Sequence, residues 1–457
     1  MAEDGPAVVV VGAGIAGLSA AYRLQQAGIR VLVVERQGAE LVGGRMATVR
    51  RGGFDVDLGA PLLARRYRRM LTLLDEVGAG DQIVSAADVF GIPYAGQVFR
   101  GRTGSPWRLL RGGLLEAVPM ADRLRLSLDV LRRRGGLHPA DMTGAARWDT
   151  ESLTGYADRR RLRRSTLDLL LDPLASTLCL SEPGTTAAMP ALLFLAFLAG
   201  SGGLFTSARG TGFVPQALAA RVPIAYHCEV TGIETCSGGV KVSYQQRSGG
   251  EVTRAAEAVV VATPPPVSAA VCPQVRGPLR EAFAGTTYSR TIQVTFCLDR
   301  ATAETAAYLF TPRPEAPDIA GITLPHNLSR RRVPEGKGMI TVYLRGESSD
   351  RLWHSPDARI VDHTVAELSG LRILPEAERH SCAVYVDRLS PCVVRRRPGD
   401  YRRLADAVRT SGALPAIVWA GGDHFGHSTT IGSLTSGEQA AHAVLAHLAA
   451  QNPKGTL

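Results

Sequence analysis

The segment Ala7–Arg45 constrains the fold of this chain more than any other, and it reads AVVVVGAGIAGLSAAYRLQQAGIRVLVVERQGAELVGGR. The apolar, largely β-branched run Ala7–Val11 predicts a buried strand. Three glycines follow within six residues, and the Ala- and Leu-rich run Leu18–Ala27 then predicts a helix. A second apolar run, Ile29–Val34, predicts another strand and ends at Glu35. This order of elements predicts a parallel βαβ unit.

The glycine turn has the spacing GxGxxG, and each of its glycines has a physical role. Gly12 allows the tight turn, Gly14 lets a pyrophosphate approach the backbone, and Gly17 lets the helix pack closely on the strand. The helix N-terminus offers N–H groups to phosphates, and Glu35 is placed to accept hydrogen bonds from ribose hydroxyls. The segment therefore predicts a dinucleotide site that contains Gly12, Gly14, Ile15, Ala16, Gly17, Glu35 and Arg36.

The turn alone does not distinguish FAD from NAD, but the residues that follow it do. They are the GGR segment Gly43–Arg45 and, after Phe54, the DLGA segment Asp57–Ala60. This pattern resembles the flavin amine oxidase superfamily, which includes monoamine oxidases, protoporphyrinogen oxidases and phytoene-type desaturases. A guanidinium suits a diphosphate, which favours Arg45 as a ligand on physical grounds as well. The resemblance implies that FAD is contacted by Gly43, Gly44, Arg45, Gly59 and Ala60.

Three later segments extend the resemblance over almost the whole chain. They are a second glycine segment at Arg209–Val214, an apolar strand followed by prolines at Ala258–Pro266, and the last motif within Ala416–Ala450. A separate NAD(P) site at Arg209–Val214 is the alternative; Pro215 stands at the third glycine position there, and no apolar strand precedes the segment. The resemblance adds seven expected FAD contacts: Val230, Ala262, Thr263, Gly422, Asp423, Ser433 and Leu434.

The resemblance implies an α/β fold with a discontinuous arrangement of domains. We expect a Rossmann-like FAD-binding domain of the GR2 type, formed by residues 1–66, 209–270 and 410–457. We expect an inserted α+β substrate-binding domain, with a helical part, formed by residues 67–208 and 271–409. Within it, the runs Thr291–Leu298 and Gly338–Leu344 predict strands of a sheet that faces the flavin.

Departures from the amine oxidases bear on the reaction. Those enzymes carry a lysine on a strand of the substrate domain, and Thr291–Arg300 contains none. They also place two aromatic residues beside the flavin, where this chain has Val393 and, after Asp423, only Phe425. We therefore expect an FAD-dependent oxidase or desaturase that removes hydride from a C–H bond of a large apolar or conjugated substrate. The alternatives are an amine or amino-acid oxidase, and a flavin-dependent isomerase or cyclase without net oxidation.

A cysteine and two histidines lie near the expected flavin position in the sequence. Cys392 lies about where monoamine oxidases carry a cysteine joined to the flavin, but Pro391 and Val393 replace the usual Gly and Tyr neighbours. We therefore predict noncovalent FAD. His424 and His427 follow the last motif and are weak candidates for proton transfer. The alternative is that they hydrogen-bond the loop or the cofactor.

Composition bounds the remaining function classes. Seven dispersed cysteines without CxxC spacing argue against a disulfide framework and a zinc site, so no metal is expected. The first residues lack the pattern of a signal peptide, so a cytoplasmic location is the default expectation. The apolar segment Met189–Phe205 is too short for a membrane span. It predicts a buried helix, with a substrate cavity wall or a membrane contact as alternatives.

The arginines also bear on partners. The formal net charge is +10, and Arg123–Arg164 holds eleven arginines against five acids. Solvated helix faces are one interpretation, and a basic rim at a substrate or membrane mouth is the other. Little aromatic interleaving accompanies them, which argues against nucleic acid. We expect a small-molecule substrate, oxygen or quinone as electron acceptor, a possible peripheral membrane contact and a role in bacterial biosynthesis.

Overall fold

The computed structural model describes residues 5–102, 118–133, 143–410 and 414–451. The strands, in chain order, are β1 Val8–Val11, β2 Val31–Val34, β3 Thr48–Arg51, β4 Phe54–Asp57, β5 Leu63–Ala64, β6 Ile83–Ser85, β7 Val89–Tyr94, β8 Gln97–Arg102, β9 Leu204–Ser207, β10 Ile224–Ala225, β11 Cys228–Cys236, β12 Gly239–Gln246, β13 Glu251–Ala256, β14 Ala258–Val261, β15 Thr291–Leu298, β16 Tyr308–Phe310, β17 Ile319–Thr323, β18 Gly338–Leu344, β19 Ser381–Leu389 and β20 Ile417–Trp419.

Helices connect these strands. A π-helical turn, Leu167–Leu171, joins the helix Arg164–Thr166 to the helix Asp172–Cys179. The α-helices, in chain order, are α1 Ile15–Gln26, α2 Arg68–Glu76, α3 Met120–Arg133, α4 Thr143–Ala146, α5 Leu153–Arg159, α6 Arg164–Thr166, α7 Asp172–Cys179, α8 Ala188–Gly200, α9 Phe213–Ala219, α10 Pro265–Val271, α11 Gly277–Ala284, α12 Pro325–Leu328, α13 Gly346–Leu352, α14 Asp357–Leu371, α15 Glu376–Arg379, α16 Asp400–Thr410 and α17 Thr430–Gln451.

A five-stranded parallel sheet, in the order β10-β2-β1-β14-β20, contains the predicted βαβ unit. Val10 pairs with Val33 of β2 and Val260 of β14, and all three are fully buried. One face of β1 packs with α1 and α17. The other face, through Val9 and Val11, packs on the antiparallel sheet β11-β12-β13. Burial on both faces explains why these strands are continuous apolar runs.

The carboxyl ends of three parallel strands lie side by side in this sheet. Val11 pairs with Val261, and Val261 pairs with Trp419. The loops that leave these residues therefore converge at one edge of the sheet. The strands come from residues 1–66, 209–270 and 410–457, although the exact domain boundaries remain a prediction.

A second large sheet has the order β19-β15-β18-β17-β16-β7-β8. Strand β15 alternates between two environments because successive side chains point to opposite faces. Its residues Ile292, Val294 and Phe296 join the apolar core that α14 covers. The opposite face of this sheet has a polar part and an aromatic part. The polar part includes Gln293, Thr295, Thr341 and Tyr343. The aromatic part includes Tyr308, Phe310 and Phe90.

Most predicted elements are present, with different ends. The structure begins the first helix, α1, at Ile15 rather than at Leu18, and the last motif leads into α17, which begins at Thr430. The prolines after β14 end the strand and also begin helix α10 at Pro265. Proline is tolerated there because the N–H group that it lacks would form no intrahelical hydrogen bond in the first turn. Of the arginine-rich run of residues 123–164, residues 123–133 belong to α3, and residues 134–142 lie outside the described residues.

The apolar segment predicted as a buried helix forms α8 and then β9. Its first half is buried, and Phe194 and Phe197 remain half-buried. In the part of the chain that the structure describes, no helix combines the length and apolar character needed to cross a membrane.

Candidate active site

The glycine turn has the geometry that each of its glycines was expected to provide. Gly12 has φ +100°, and a Cβ atom there would lie 3.2 Å from the carbonyl oxygen of Ala262. A Cβ atom on Gly17 would lie 2.0 Å from the Gly12 oxygen, so only glycine fits. By contrast, a Cβ atom on Gly14 would meet nothing within 4 Å. The space over Gly14 is therefore available to a ligand.

The N-terminus of α1 is open to an anion at this point. Gly14 is the N-cap residue and provides no side-chain cap, and the first turn contains no acidic residue. The first intrahelical bond runs from Leu18 N to Gly14 O. The N–H groups of Ile15 and Ala16 and the positive end of the helix dipole therefore suit a diphosphate.

The carboxylate of Glu35 is fixed at the end of β2. It accepts hydrogen bonds from the backbone N–H groups of Ala13 and Gln37, each at 2.7 Å. Arg36 is exposed and lies 3.6 Å from Glu229 of β11. Val230 follows Glu229 on that strand and is half-buried. The structure thus brings the acid close to the glycine turn, as the βαβ motif requires.

Replacing Glu35 with alanine is expected to weaken FAD binding by about 1.5–3 kcal/mol, the scale of hydrogen bonds to a charged group. Titration of FAD into the apo forms measures the change. Glu234→Ala, which removes an exposed acid from the same region, serves as the control. Equal FAD affinities of wild type and Glu35→Ala would show that this carboxylate does not bind the ribose.

The GGR segment lies against the glycine turn. Gly43 N donates to Ala13 O at 3.0 Å, and Gly14 and Gly43 form an isolated parallel bridge. Gly43 and Gly44 both have positive φ, at +93° and +55°, which glycine adopts without strain. A Cβ atom on Gly44 would meet nothing within 4 Å. The two open glycine surfaces, at Gly14 and Gly44, therefore border one cleft.

Arg45 pairs with Asp423 across this cleft. Its guanidinium donates to both carboxylate oxygens of Asp423 and, at 3.0 Å, to the carbonyl oxygen of Cys392. The ring of Tyr288 lies 5.5 Å from the guanidinium. Burial is the largest single effect on the pKa of Arg45 and lowers it. The charge and hydrogen bond of Asp423, together with Tyr288 and Cys392, nevertheless raise the pKa above its ordinary value overall. The pair joins the second and last predicted FAD segments and keeps Arg45 charged.

Two more predicted contacts lie beside Arg45. Ala60 N donates to Arg45 O at 3.1 Å, and a Cβ atom on Gly59 would lie 2.2 Å from that oxygen. Ala262 and Thr263 follow β14 and are half-buried, and Ala262 N donates to Val11 O at 2.9 Å. These residues lie at the sheet edge where the loops converge.

The last motif is held by the beginning of α17. Gly422 has φ +55°, and its N–H donates to Ser436 Oγ at 3.1 Å. Ser433 is half-buried, whereas the side chain of Leu434 is fully buried in the core, which leaves only its backbone for a cofactor. A Cβ atom on Gly437 would lie 2.0 Å from Ala16 O, so this glycine allows α17 to pack on α1.

The two histidines have contacts that the sequence did not predict. His424 packs its ring on Phe283 and Phe425, and neither ring nitrogen has a partner among the described residues. Burial, and then the charge of Arg396, hold the pKa of His424 well below its ordinary value. His427 Nδ1 lies 3.1 Å from the hydroxyl of Tyr401. A neutral imidazole can accept a proton, but proton transfer by either residue stays a prediction.

Cys392 is an unfavourable nucleophile in this structure. Burial raises the pKa of its thiol to about 11, and the lowering effect of Arg45 is smaller. The thiol is therefore protonated at neutral pH, and thiolates, not thiols, are the nucleophiles.

Acid precipitation is expected to release the flavin into the supernatant and leave a colourless pellet, because Cys392 is a protonated thiol. Absorbance of the two fractions measures the partition, and Cys392→Ser should behave as wild type does. A yellow wild-type pellet that turns colourless in Cys392→Ser would contradict noncovalent binding.

A buried ion pair that the sequence did not predict lies near the site and connects segments that are distant in the chain. Arg332 donates to Asp57 and to the hydroxyl of Thr206, and Arg332 is 1% exposed. The other oxygen of Asp57 accepts from Thr48 Oγ1 at 2.6 Å and from Thr211 N at 3.0 Å. The pair therefore fixes the DLGA segment against the second glycine segment.

An aromatic cavity begins two residues after Ala60. Leu62 forms part of its wall, with α8, β7, β9 and β16 around it. Phe194 and Phe197 of α8 stack with ring centroids 5.4 Å apart, and Phe194 also meets Phe310 edge-on at 5.7 Å. The lining residues are Leu62, Ala87, Asp88, Val89, Phe90, Phe194, Phe197, Leu204, Ala307, Tyr308 and Phe310.

These residues fit FAD as a bound group. The open surfaces at Gly14 and Gly44, the uncapped helix α1 and the acid Glu35 form a cradle that a diphosphate and a ribose would fill. Among the described residues, no group of three or more His, Cys, Asp or Glu side chains is arranged to hold a metal ion.

The glycine cradle, the parallel sheet and the second mixed sheet define an FAD-dependent oxidoreductase with a Rossmann-like FAD-binding fold. Residues 15–445 match the family described as flavin containing amine oxidoreductase. The chain belongs to this family, and the resemblance inferred from the motifs is confirmed.

Individual relatives are similar over short segments only. Protoporphyrinogen oxidase 2 of Arabidopsis thaliana is 40% identical over 77 residues, which are 17% of this chain and 15% of that protein. Phytoene dehydrogenase of Streptomyces griseus is 54% identical over 56 residues, 12% and 11% of the two chains. A solved structure of a redesigned putrescine oxidase has a TM-score of 0.76 at 19% identity, and the match covers 96% of this chain and 99% of that chain. This last likeness shows the fold alone.

Proposed function

We propose that this protein is an oxidase or desaturase that removes hydride from a C–H bond of a large apolar or conjugated substrate and leaves a C=C or C=N bond. The observation that carries the proposal is the set of aromatic side chains beside Leu62, which enclose a cavity of only about 20 Å³ in this structure and would have to separate to admit such a substrate. The walls of the cavity contain four phenylalanine rings, one tyrosine ring and the carboxylate of Asp88. Burial of a flat apolar substrate against such walls is favourable at about 25 cal/mol per Å².

The chain contributes position and exclusion of water in this proposal. Bound FAD supplies the hydride acceptor, which no amino-acid side chain can provide. The fully buried strand β15 and the buried part of α8 exclude water from the region between the two sheets. Leu62 of the cavity wall follows the DLGA segment by two residues, so a substrate in contact with Leu62 would lie near that segment. Oxygen or a quinone is the proposed final electron acceptor.

The names of two relatives support this substrate class. One is a protoporphyrinogen oxidase and the other a phytoene dehydrogenase, so their names refer to a conjugated macrocycle precursor and a polyene precursor. The absence of lysine from β15 agrees with this choice over amine oxidation.

Amine oxidation is the second candidate, and the same cavity supports it. Aromatic faces attract ammonium groups, and Asp88 lies in the cavity wall. One structural neighbour is named as a putrescine oxidase. The third alternative, isomerisation or cyclisation without net oxidation, predicts that no substrate leaves the flavin reduced.

Anaerobic mixing of the FAD-loaded protein with three substrate types separates these functions. We expect a porphyrinogen or an acyclic polyene to bleach the flavin band and a primary alkylamine to leave it unchanged. Bleaching by the amine alone would contradict the proposal and favour amine oxidation. A turned-over substrate without bleaching would favour isomerisation.

A charge placed in the cavity sharpens the same experiment. Phe194→Asp should raise the KM of an apolar substrate at least tenfold, since a carboxylate resists desolvation. The same change should improve an amine substrate if amine oxidation is the true reaction. Tyr94→Asp, at an aromatic residue 40% exposed outside the cavity, is the matched control.

A further inference from the structure

Helix α3 buries a mostly polar side against the rest of the protein, formed by Asp122, Leu126, Asp129 and Arg133. Asp122 is 1% exposed and accepts from Arg163 N at 2.8 Å and from Thr166 Oγ1 at 2.7 Å. Asp129 accepts from the hydroxyl of Tyr156 at 2.8 Å. These specific hydrogen bonds fix the rotation of the helix about its axis, because a buried carboxylate cannot lose its partners cheaply.

Arg133, at the end of the same buried side, adds a third anchor. It is 6% exposed, and its guanidinium lies over the rings of Trp148 and Tyr156, at 5.0 and 5.3 Å from their centroids. It also lies 3.9 Å from the sulfur of Met189 in α8. The helix therefore packs directly on the apolar helix that forms one wall of the aromatic cavity.

The opposite side of α3 is apolar and exposed. Met120, Leu124, Leu128 and Leu131 are 60%, 58%, 48% and 62% exposed. Their spacing of four, four and three residues places them on one face over three turns. In the described residues, seven large apolar side chains are exposed, and four of them lie on this helix. The face is therefore a contiguous apolar patch and not a set of isolated exposed side chains.

We propose that this exposed face of α3 lies in the surface of a membrane that contains anionic lipid. An interfacial helix buries its apolar face at the boundary of headgroups and acyl chains, and basic side chains beside it attract anionic headgroups. Arg132 is exposed on α3 itself. Arg161 and Arg163, also exposed, follow α5 and contact the first turns of α3 through their backbones.

Charge favours lipid over a second copy of this chain as the occupant of the face. A two-fold contact places the same patch on both partners, so arginines would meet arginines. The formal net charge of +10 adds to that repulsion and adds to the attraction of an anionic surface. A membrane at α3 would also lie beside α8, so an apolar substrate dissolved in lipid would be close to the cavity wall.

Vesicle flotation of the FAD-loaded protein tests this proposal. The probes are vesicles of phosphatidylcholine alone and of phosphatidylcholine with phosphatidylglycerol. We expect binding to the anionic vesicles, weakened by salt, and roughly a tenfold or larger loss in the double variant Leu124→Glu, Leu128→Glu. Val408→Glu changes a side chain that is 49% exposed on α16 and should bind as wild type does. Flavin content and thermal unfolding verify that each variant is folded.

Three results would overturn the proposal. They are no binding of wild type to anionic vesicles, equal binding of wild type and the double variant, and equal loss in the Val408→Glu control. Light scattering without lipid provides a fourth test. A wild-type dimer that becomes monomeric in the double variant would assign the face to a second copy instead.

Discussion

Gly14→Val abolishes FAD binding and leaves the fold intact: this is the expected result for the position over which the pyrophosphate is proposed to lie. The backbone of Gly14 has φ −72° and ψ 170°, an extended conformation that valine adopts readily. A Cβ atom there meets no atom within 4 Å apart from its own chain neighbours, so the branch point of the side chain does not clash with the rest of the apo protein. The valine would instead fill the space that the ligand requires.

Titration of FAD and thermal unfolding of the apo protein measure the two parts of this prediction. We expect at least a hundredfold weaker binding, about 2.7 kcal/mol, with an unchanged apo melting temperature. Gly370→Val is the control, since it adds the same side chain at an exposed helical glycine with equal space. FAD binding that survives in Gly14→Val would place the pyrophosphate elsewhere.

Arg332→Leu is expected to lower the free energy of unfolding by about 3–5 kcal/mol. The substitution leaves the carboxylate of Asp57 buried without its charged partner, and Asp57 is 6% exposed. Such a carboxylate loses hydration without gaining an equivalent interaction. The effect should extend to FAD affinity, because the ion pair holds the DLGA segment in place.

Denaturant unfolding of the apo protein measures the loss. Arg300→Leu removes an arginine of an exposed ion pair, in which Arg300 and Asp299 are 65% and 54% exposed, and should change stability by less than about 1 kcal/mol. Asp57→Asn combined with Arg332→Leu should be less destabilised than Arg332→Leu alone, because no charge remains buried. Equal stability of Arg332→Leu and wild type would show that the ion pair between Arg332 and Asp57 does not stabilise the fold.

The parts of this fold that could be predicted are those set by local sequence. The strands at Val8–Val11, Val31–Val34 and Thr291–Leu298 follow from apolar runs, and the glycine turn follows from backbone sterics. The family could be recognised because its motifs recur in a fixed order. The apolar runs, the glycine turn and the order of the motifs can all be identified without knowing which distant residues are in contact.

Contacts between distant residues could not be predicted. Arg332 and Asp57 are 275 positions apart, and no periodicity links them. The same limit applies to His424: its position beside the last motif is evident from the sequence, but the packing of its ring on Phe283 is not.

Helix α3 shows the limit of periodicity in a different way. Apolar residues at helical spacing, as in Leu124 and Leu128, ordinarily indicate a buried face. Here two of the four buried positions of the helix are taken by Asp122 and Asp129, to which Thr166 and Tyr156 donate hydrogen bonds. Only tertiary structure reveals that choice.

The central claim is that an organic substrate, and not a nicotinamide, reduces the flavin of this protein. The chain has one complete dinucleotide fingerprint, and Pro215 occupies the third glycine position of the second glycine segment. Its side chain lies against Gly43, where a Cβ atom would meet it at 2.4 Å. The second segment thus packs on the FAD cradle and forms part of one site.

Anaerobic spectroscopy of the flavin band, near 450 nm as set by the cofactor itself, tests this claim most directly. The FAD-loaded protein is mixed separately with NADH, with NADPH and with the apolar substrates proposed above. We predict that neither nicotinamide bleaches the band and that an apolar substrate does. Rapid bleaching by NADPH would contradict the oxidase interpretation and point to a reductase or a monooxygenase.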